Sequence, residues 1–310
     1  MLKLLRANFR LLLKSKMFYI ALAANIVMSV FAVLSSTDFS NNILVVFLVM
    51  MPTVCTAHTA LFVGKEYSDG TLRSKLIYGH TRGKVYFSYL ITCVAANLIL
   101  IVPGMVIVVV SRLDFFTLFD TKALLLITSG YLIANVVLCS LFVAVGFNFS
   151  SKAVSTVIAV LIVIVGYFSI TFIAEGLSQP EVRYTVIVGD DNEIKQKIPD
   201  LNPDYIGEPA RTVLNLVYNF MPHGQINEYY NCFDSVYDSW YTVKNWMEET
   251  DKDVYDWMKR LNVYVFNSKY IKEAEEIQRD FEYVFLVNQL ALIGASAFFG
   301  LQFFKKKNLK

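Results

Sequence analysis

Residues 64–85 read GKEYSDGTLRSKLIYGHTRGKV, and they separate two strongly apolar stretches, ILVVFLVMMPTVCTAHTALFV (43–63) and YFSYLITCVAANLILIVPGMVIVVV (86–110). Either flank can cross a hydrocarbon core, which needs about 20 apolar residues. The insert between them cannot stay in that core, so the chain turns back through water here. The insert carries Lys65, Arg73, Lys75, Arg82 and Lys84 against Glu66 and Asp69. Positive charge of this kind marks the cytoplasmic side of a membrane protein. The pattern implies an all-α polytopic membrane protein.

Outward from the insert the pattern repeats. Apolar runs at 17–35, 43–63, 86–110, 123–148, 154–174 and 284–304 predict six transmembrane helices. Before the first run, Lys3, Arg6, Arg10 and Lys14 recur at steps of three and four, opposite Leu2, Leu5, Phe9, Leu12 and Leu13. Residues 1–16 therefore read as an N-terminal interfacial amphipathic helix with its leucines in the acyl boundary. Lys305, Lys306, Lys307 and Lys310 make the end of the chain basic, so both termini are expected in the cytoplasm with the insert. Residues 17–174 then hold spans one to five with the loop 64–85, and residues 284–310 hold span six and a basic tail.

Between spans five and six lies a segment of the opposite sign. Residues 175–283 contain 21 Asp and Glu against 11 Lys and Arg, a net of −10, and are expected to form a small, mainly helical extracellular domain. Val182 to Val188 and Glu193 to Ile198, separated by GDDN, predict a hairpin. Helices are expected at Glu208 to Phe220, along the stripe from Ile226 to Met247, and at Lys269 to Glu282. All three tryptophans, Trp240, Trp246 and Trp257, fall in this segment. Rings of this kind suit a core or the headgroup level of a bilayer. Cys55, Cys93 and Cys139 lie in spans and Cys232 is alone outside, so no disulfide framework is expected.

Composition excludes several kinds of chemistry. Only 17% of the chain is charged, against about 25% for soluble domains. The three histidines, His58, His80 and His223, are scattered and no cysteine cluster replaces them, so no metal or catalytic centre is predicted. Gly79, Gly83 and Lys84 imitate a phosphate loop, but the spacing is one residue short and Val85 stands where a Ser or Thr should hold magnesium. The chain should bind no cofactor itself. The span centres hold no Asp, Glu, Lys or Arg, which argues against ion-coupled transport. They hold amides instead, best read as helix–helix contacts. Asn25, His58, Thr59 and Ser169 are the candidates for lining a pathway.

Within the insert, Ser68 or Asp69 can cap a short helix at its start and Gly79 can close it in a left-handed conformation. Leu72 and Leu76 share one face, while Arg73 and Lys75 are expected to point elsewhere, toward water, phosphates or an acidic partner. Nine or ten residues make a marginal helix in water, so a docking surface is expected to hold it.

Glu66, Gly70, Thr71, Gly79 and Arg82, directly after an apolar span, resemble the first cytoplasmic loop of the type-2 ABC exporter permeases. The amphipathic N-terminus, the six spans and the excursion between the fifth and sixth are also similar to that family. The chain departs from it at Tyr89, where many relatives have lysine, and in the length of the outer segment. The resemblance implies that Tyr67 to Tyr78 is a coupling helix seated in a separate cytoplasmic ATPase, which carries ATP and Mg. Glu66, Tyr67, Asp69, Gly70, Thr71, Leu72, Arg73, Leu76, Gly79 and Arg82 would then make the coupling site. It also implies an ATPase dimer, a second permease (same or related), a bacterial plasma-membrane setting, membrane lipid as partner and no nucleic acid. A pathway between the first, second and fifth spans would carry an amphipathic cargo such as a peptide or antimicrobial outward. The alternative is a membrane-anchored receptor or assembly factor whose acidic outer domain binds a ligand, with a secondary transporter the less favoured third.

Overall fold

Apolar segments in lipid must satisfy their backbone groups internally, and helices do this within one segment. A computed structural model of the chain describes residues 1–35, 46–111, 121–149, 151–188, 194–227 and 287–307. Helix α1 spans Leu2–Lys14 and α2 spans Lys16–Ser35, separated by an extended Ser15. A π-helical turn, Val46–Met50, leads into α3, Met51–Ser68, with Pro52 in its first turn. Then come α4 (Thr71–Ile77), α5 (Arg82–Ser111), α6 (Thr121–Asn148) and α7 (Lys152–Ser178). Strands β1 (Val182–Val188) and β2 (Ile194–Leu201), helix α8 (Ala210–Phe220) and helix α9 (Val287–Lys306) complete the described elements.

Five of these helices, α2, α5, α6 over its 128–148 part, α7 and α9, are long and apolar enough to cross a membrane. The second expected run, 43–63, falls from Val46 onward on the π-turn and on α3, which continues past Val63 through Lys65 and Glu66. Helix α3 is the centre of the bundle. It packs most extensively against α7 and α6, and also against α2 and α5. Glycines permit the closest approaches: a Cβ at Gly64 would lie 2.8 Å from Lys152 Cα, and one at Gly146 would lie 2.9 Å from Val63.

The largest fully buried side chains gather at the end of the bundle that carries the insert. Tyr86 and Tyr89 of α5, Phe147 of α6 and Phe304 of α9 are fully buried there. Their rings form a chain, with centroids 5.6 Å apart for Tyr89–Phe147 and 4.7 Å for Phe147–Phe304. Side chains from three helices thus make one rigid floor.

One expectation needs correction. Helix α1 forms, but its inward row is Leu4, Asn8 and Leu12 against α5, while Leu2 is 82% exposed and Leu13 is also exposed. Leu12 therefore belongs to the protein core rather than to the acyl boundary, because an amphipathic helix beside a bundle has two apolar surfaces to choose between. The expected hairpin is present: β1 and β2 pair antiparallel with Val182 opposite Leu201, so the chain is not purely helical. The second strand runs three residues beyond the expected Ile198. The turn between the strands, the stripe beyond Asn227, the helix expected at 269–282, Cys232 and the tryptophans lie outside the described residues.

Candidate functional site

The turn after α3 depends on Gly70, whose φ is 71°, and α4 ends at Gly79, whose φ is 85°. These are left-handed positions, which glycine occupies without a Cβ penalty. At the end of α4 the His80 amide bonds to Lys75 O at 3.3 Å and the Gly79 amide to Leu76 O at 3.0 Å, a Schellman closure. Gly79 thus closes the helix as its sequence position suggests. The start differs. Tyr67 and Ser68 still belong to α3, so the short helix is only Thr71–Ile77. Ser68 Oγ donates back to Gly64 O at 3.0 Å, and Gly70, with no side-chain cap, stands at the N-cap. The hydroxyl that stitches the turn is Thr71 Oγ1, which reaches Glu66 O at 2.8 Å and Glu66 Oε2 at 2.6 Å.

Glu66 is the buried centre of the site. Its Oε2 also accepts from Tyr89 OH at 2.5 Å and from Lys75 Nζ at 3.1 Å. Lys75 Nζ donates to Asn8 Oδ1 at 3.0 Å and to Tyr89 OH, and lies 4.4 Å from the centre of the Tyr89 ring. Asn8 Nδ2 continues the chain to Ser88 Oγ at 3.1 Å. One ammonium therefore ties α1, α3, α4 and α5 together. The sequence pattern turns Lys75 toward water or a partner, but the side chain points inward instead. A buried carboxylate needs a counter-charge and several donors, and the cation the family pattern would place at position 89 comes from α4. Asn8 is absent from the sequence candidates. Its signal is a single amide in the otherwise apolar row Leu4, Asn8, Leu12.

The leucine face turns inward too. Leu72 is 1% exposed and belongs to the core, and Leu76 is partly buried against it. What α4 presents outward is Arg73, with Ile77 and Tyr78 at 75% and 84% exposure. Asp69 and Gly70 are also exposed.

Arg82 has a partner of its own. Its Nη1 donates to Phe304 O at 2.7 Å, Lys305 O at 2.6 Å and Lys307 O at 2.8 Å, carbonyls at the end of α9. Lys307 Nζ in turn reaches Asn148 O at 2.6 Å, at the end of α6, and lies 4.3 Å from the Tyr67 ring centre. Cations at helix C-termini satisfy orphan carbonyls and complement the dipole. The insert is thereby fastened to the last helix of the chain as well as to its first.

A family model described as ABC-2 family transporter protein matches residues 4–298 of this chain. The chain belongs to the ABC-2 family. It is a transmembrane permease of the ABC transporter class, and membership implies association with an ABC ATPase. No curated protein and no solved structure matches it. In this ABC-2 permease the other candidates are spread through the bundle. Asn25 Nδ2 donates to Leu100 O at 3.1 Å, and Thr59 Oγ1 to Cys55 O at 2.9 Å and Asn97 Oδ1 at 3.2 Å. Both residues are fully buried and tie helices within the subunit. His58 is buried between Phe18 and Phe62, with ring centroids 5.7 and 6.1 Å away. Ser169 is half-buried on α7. Asn25, Thr59 and His58 thus face the interior of one subunit.

Proposed function

We propose that this permease couples ATP hydrolysis on a cytoplasmic ATPase dimer to export of an amphipathic cargo, a peptide or antimicrobial being the favoured class. The insert end and both termini face the cytoplasm of a bacterial cell, and the hairpin end faces out. The charge asymmetry between the insert and residues 175–283 supports this orientation. The π-turn and α3 form a sixth span of 23 residues, 46–68, about 34 Å long at 1.5 Å per residue. A second permease, a copy or a relative, completes the pathway. The acidic, tryptophan-bearing outer segment supports an amphipathic cargo, since its rings and carboxylates offer both kinds of contact.

The observation that carries the coupling reading is the two-sidedness of α4. One side is fixed by Leu72, Lys75 and Thr71 to α1, α3 and α5, and the other presents Arg73, Ile77 and Tyr78 to a partner. A push on the exposed side moves the central helix α3, because Thr71 and Lys75 bond directly to Glu66. ATP binding need only shift a few kcal/mol between packed states to move the bundle.

The test is transport in inverted vesicles that contain the permease and its cognate ATPase, with a fluorescent amphipathic peptide as probe. Uptake should require ATP hydrolysis and survive collapse of the ion gradients. Uptake that vanishes with the gradients and ignores ATP would overturn the reading.

A further inference from the structure

Two helices of the bundle are interrupted at the same height. Helix α5 carries Pro103 in its interior. A proline there has no N–H for the carbonyl four residues back, Ile99 O, and its ring crowds that carbonyl. The next carbonyl, Leu100 O, accepts from Asn25 Nδ2 of α2 at 3.1 Å. Pro52 stands in the first turn of α3, directly after the π-turn Val46–Met50. In an α-helix its ring would crowd Leu48 O, and a wider turn relieves that contact. The wider turn disturbs the regular ladder of backbone bonds. Phe47 O accepts from Tyr131 OH of α6 at 2.6 Å, and Val49 O accepts from Thr53 Oγ1 at 2.6 Å.

The two interruptions touch. Met51 is fully buried, and a Cβ at Gly104 would collide with its Cε and lie 2.6 Å from Ser29 Oγ of α2. Met51 precedes Pro52 and Gly104 follows Pro103, so α3 and α5 meet at their weakest turns. Ser29 Oγ donates back to Asn25 O at 2.7 Å, a bond that loosens and bends a helix. Three helices thus lose stiffness at one level. The contact there is also soft, because methionine has three rotatable bonds and glycine offers bare backbone for it to move against.

On the insert side of this level the same helices are tied together. Thr59 Oγ1 of α3 donates to Asn97 Oδ1 of α5 at 3.2 Å, and Tyr89 OH of α5 donates to Glu66 Oε2 of α3 at 2.5 Å. These two bonds, seven residues apart on α3, make one body of the two arms.

We propose that the level of Pro52 and Pro103 is a hinge plane across which the insert-side arms of α3 and α5 tilt as one body. Met51 on Gly104 is its pivot, and the Tyr131 hydroxyl is the latch that holds the π-turn to α6. The 18 residues of α3 make an arm about 27 Å long, so a tilt of about 10° moves its insert end by about 5 Å. The hinge itself needs only the two interrupted helices. Its use rests on the coupling reading above, in which it turns a push on α4 into motion at the hairpin end.

Paired spin labels test the hinge in the full chain with Cys232→Ser, reconstituted in phosphatidylcholine vesicles without any ATPase. Cys55, Cys93 and Cys139 are buried and escape the label. Met50→Cys with Lys65→Cys brackets Pro52, and Ile91→Cys with Val110→Cys brackets Pro103; all four positions are exposed. Dipolar spectroscopy reads the distance distribution of each pair. Pro52→Ala and Pro103→Ala restore the missing N–H, so each should narrow the distribution of its own pair about twofold. Tyr131→Phe keeps the ring and removes the latch, and should widen the distribution between positions 50 and 65. Wild-type distributions as narrow as those of the alanine variants would overturn the hinge, and a Tyr131→Phe distribution equal to that of the wild type would overturn the latch. With the cognate ATPase added, the Pro52→Ala, Pro103→Ala double variant should still bind it and lose ATP-driven uptake at least tenfold. Wild-type uptake by that variant would overturn the hinge's part in coupling. Uptake by the unsubstituted chain that ignores ATP would instead sink the coupling reading, and the label distances alone would then decide the hinge.

Discussion

The two ends of the bundle are held by different physics. At the insert end, Glu66, Lys75, Tyr89 and Asn8 bond one another across four helices, and Arg82 and Lys307 close the ends of α9 and α6. At the hairpin end, polar groups are buried with few partners among the described residues. Both His223 nitrogens, Gln225 Oε1 and Arg211 Nη1 have none there. The first arrangement suits a part that must pass on force without deforming. The second is held by shape, by the fit of His223 on Gly166, and so resists motion less. A stiff end and a yielding end are what the proposed drive by a partner ATPase requires.

Lys75→Ala should break this contrast most severely. It leaves Glu66 buried without its counter-ion, which costs about 3–5 kcal/mol, and the yield of monodisperse permease in detergent should collapse. Adding Glu66→Gln should recover part of that loss. Arg82→Ala removes three charge-assisted bonds to the end of α9 and should cost about 2 kcal/mol, read as a lower melting temperature in the same detergent. Gly79→Val forces a β-branched residue into the left-handed region and should cost about 1–2 kcal/mol, with loss of the Schellman closure. At the other end His223→Met should change stability by less than about 1 kcal/mol, because an apolar side chain of similar size forfeits no bond seen there. A His223→Met penalty as large as that of Lys75→Ala would erase the distinction.

Much of the fold was legible because lipid leaves so few choices. The runs at 17–35, 86–110 and 154–174 fall within α2, α5 and α7, and Val182–Val188 is a strand as its alternation indicates. Gly79 was legible because only a left-handed residue ends a helix that way. The orientation of short amphipathic elements was not. Leu72 reads as a docking residue only when the bundle beneath α4 is left out, and Lys75 reads as solvent-facing only when Glu66, nine residues earlier, is not known to lie beneath it. Arg82 meets carbonyls more than 220 residues away, which no local pattern encodes. A helix over Glu208 to Phe220 was visible, but where it lies rests on the contact of His223 with Gly166.

If the outward side of α4 receives the partner while the inward side serves the fold, separating the two sides is the most direct test. Ile77→Asp with Tyr78→Asp touches exposed side chains and should shift the melting temperature of the isolated permease little, by about 0.5 kcal/mol or less per residue. The same double variant should lose the co-purifying ATPase and ATP-driven uptake by at least tenfold. A double variant that keeps wild-type ATPase binding and uptake would contradict the account.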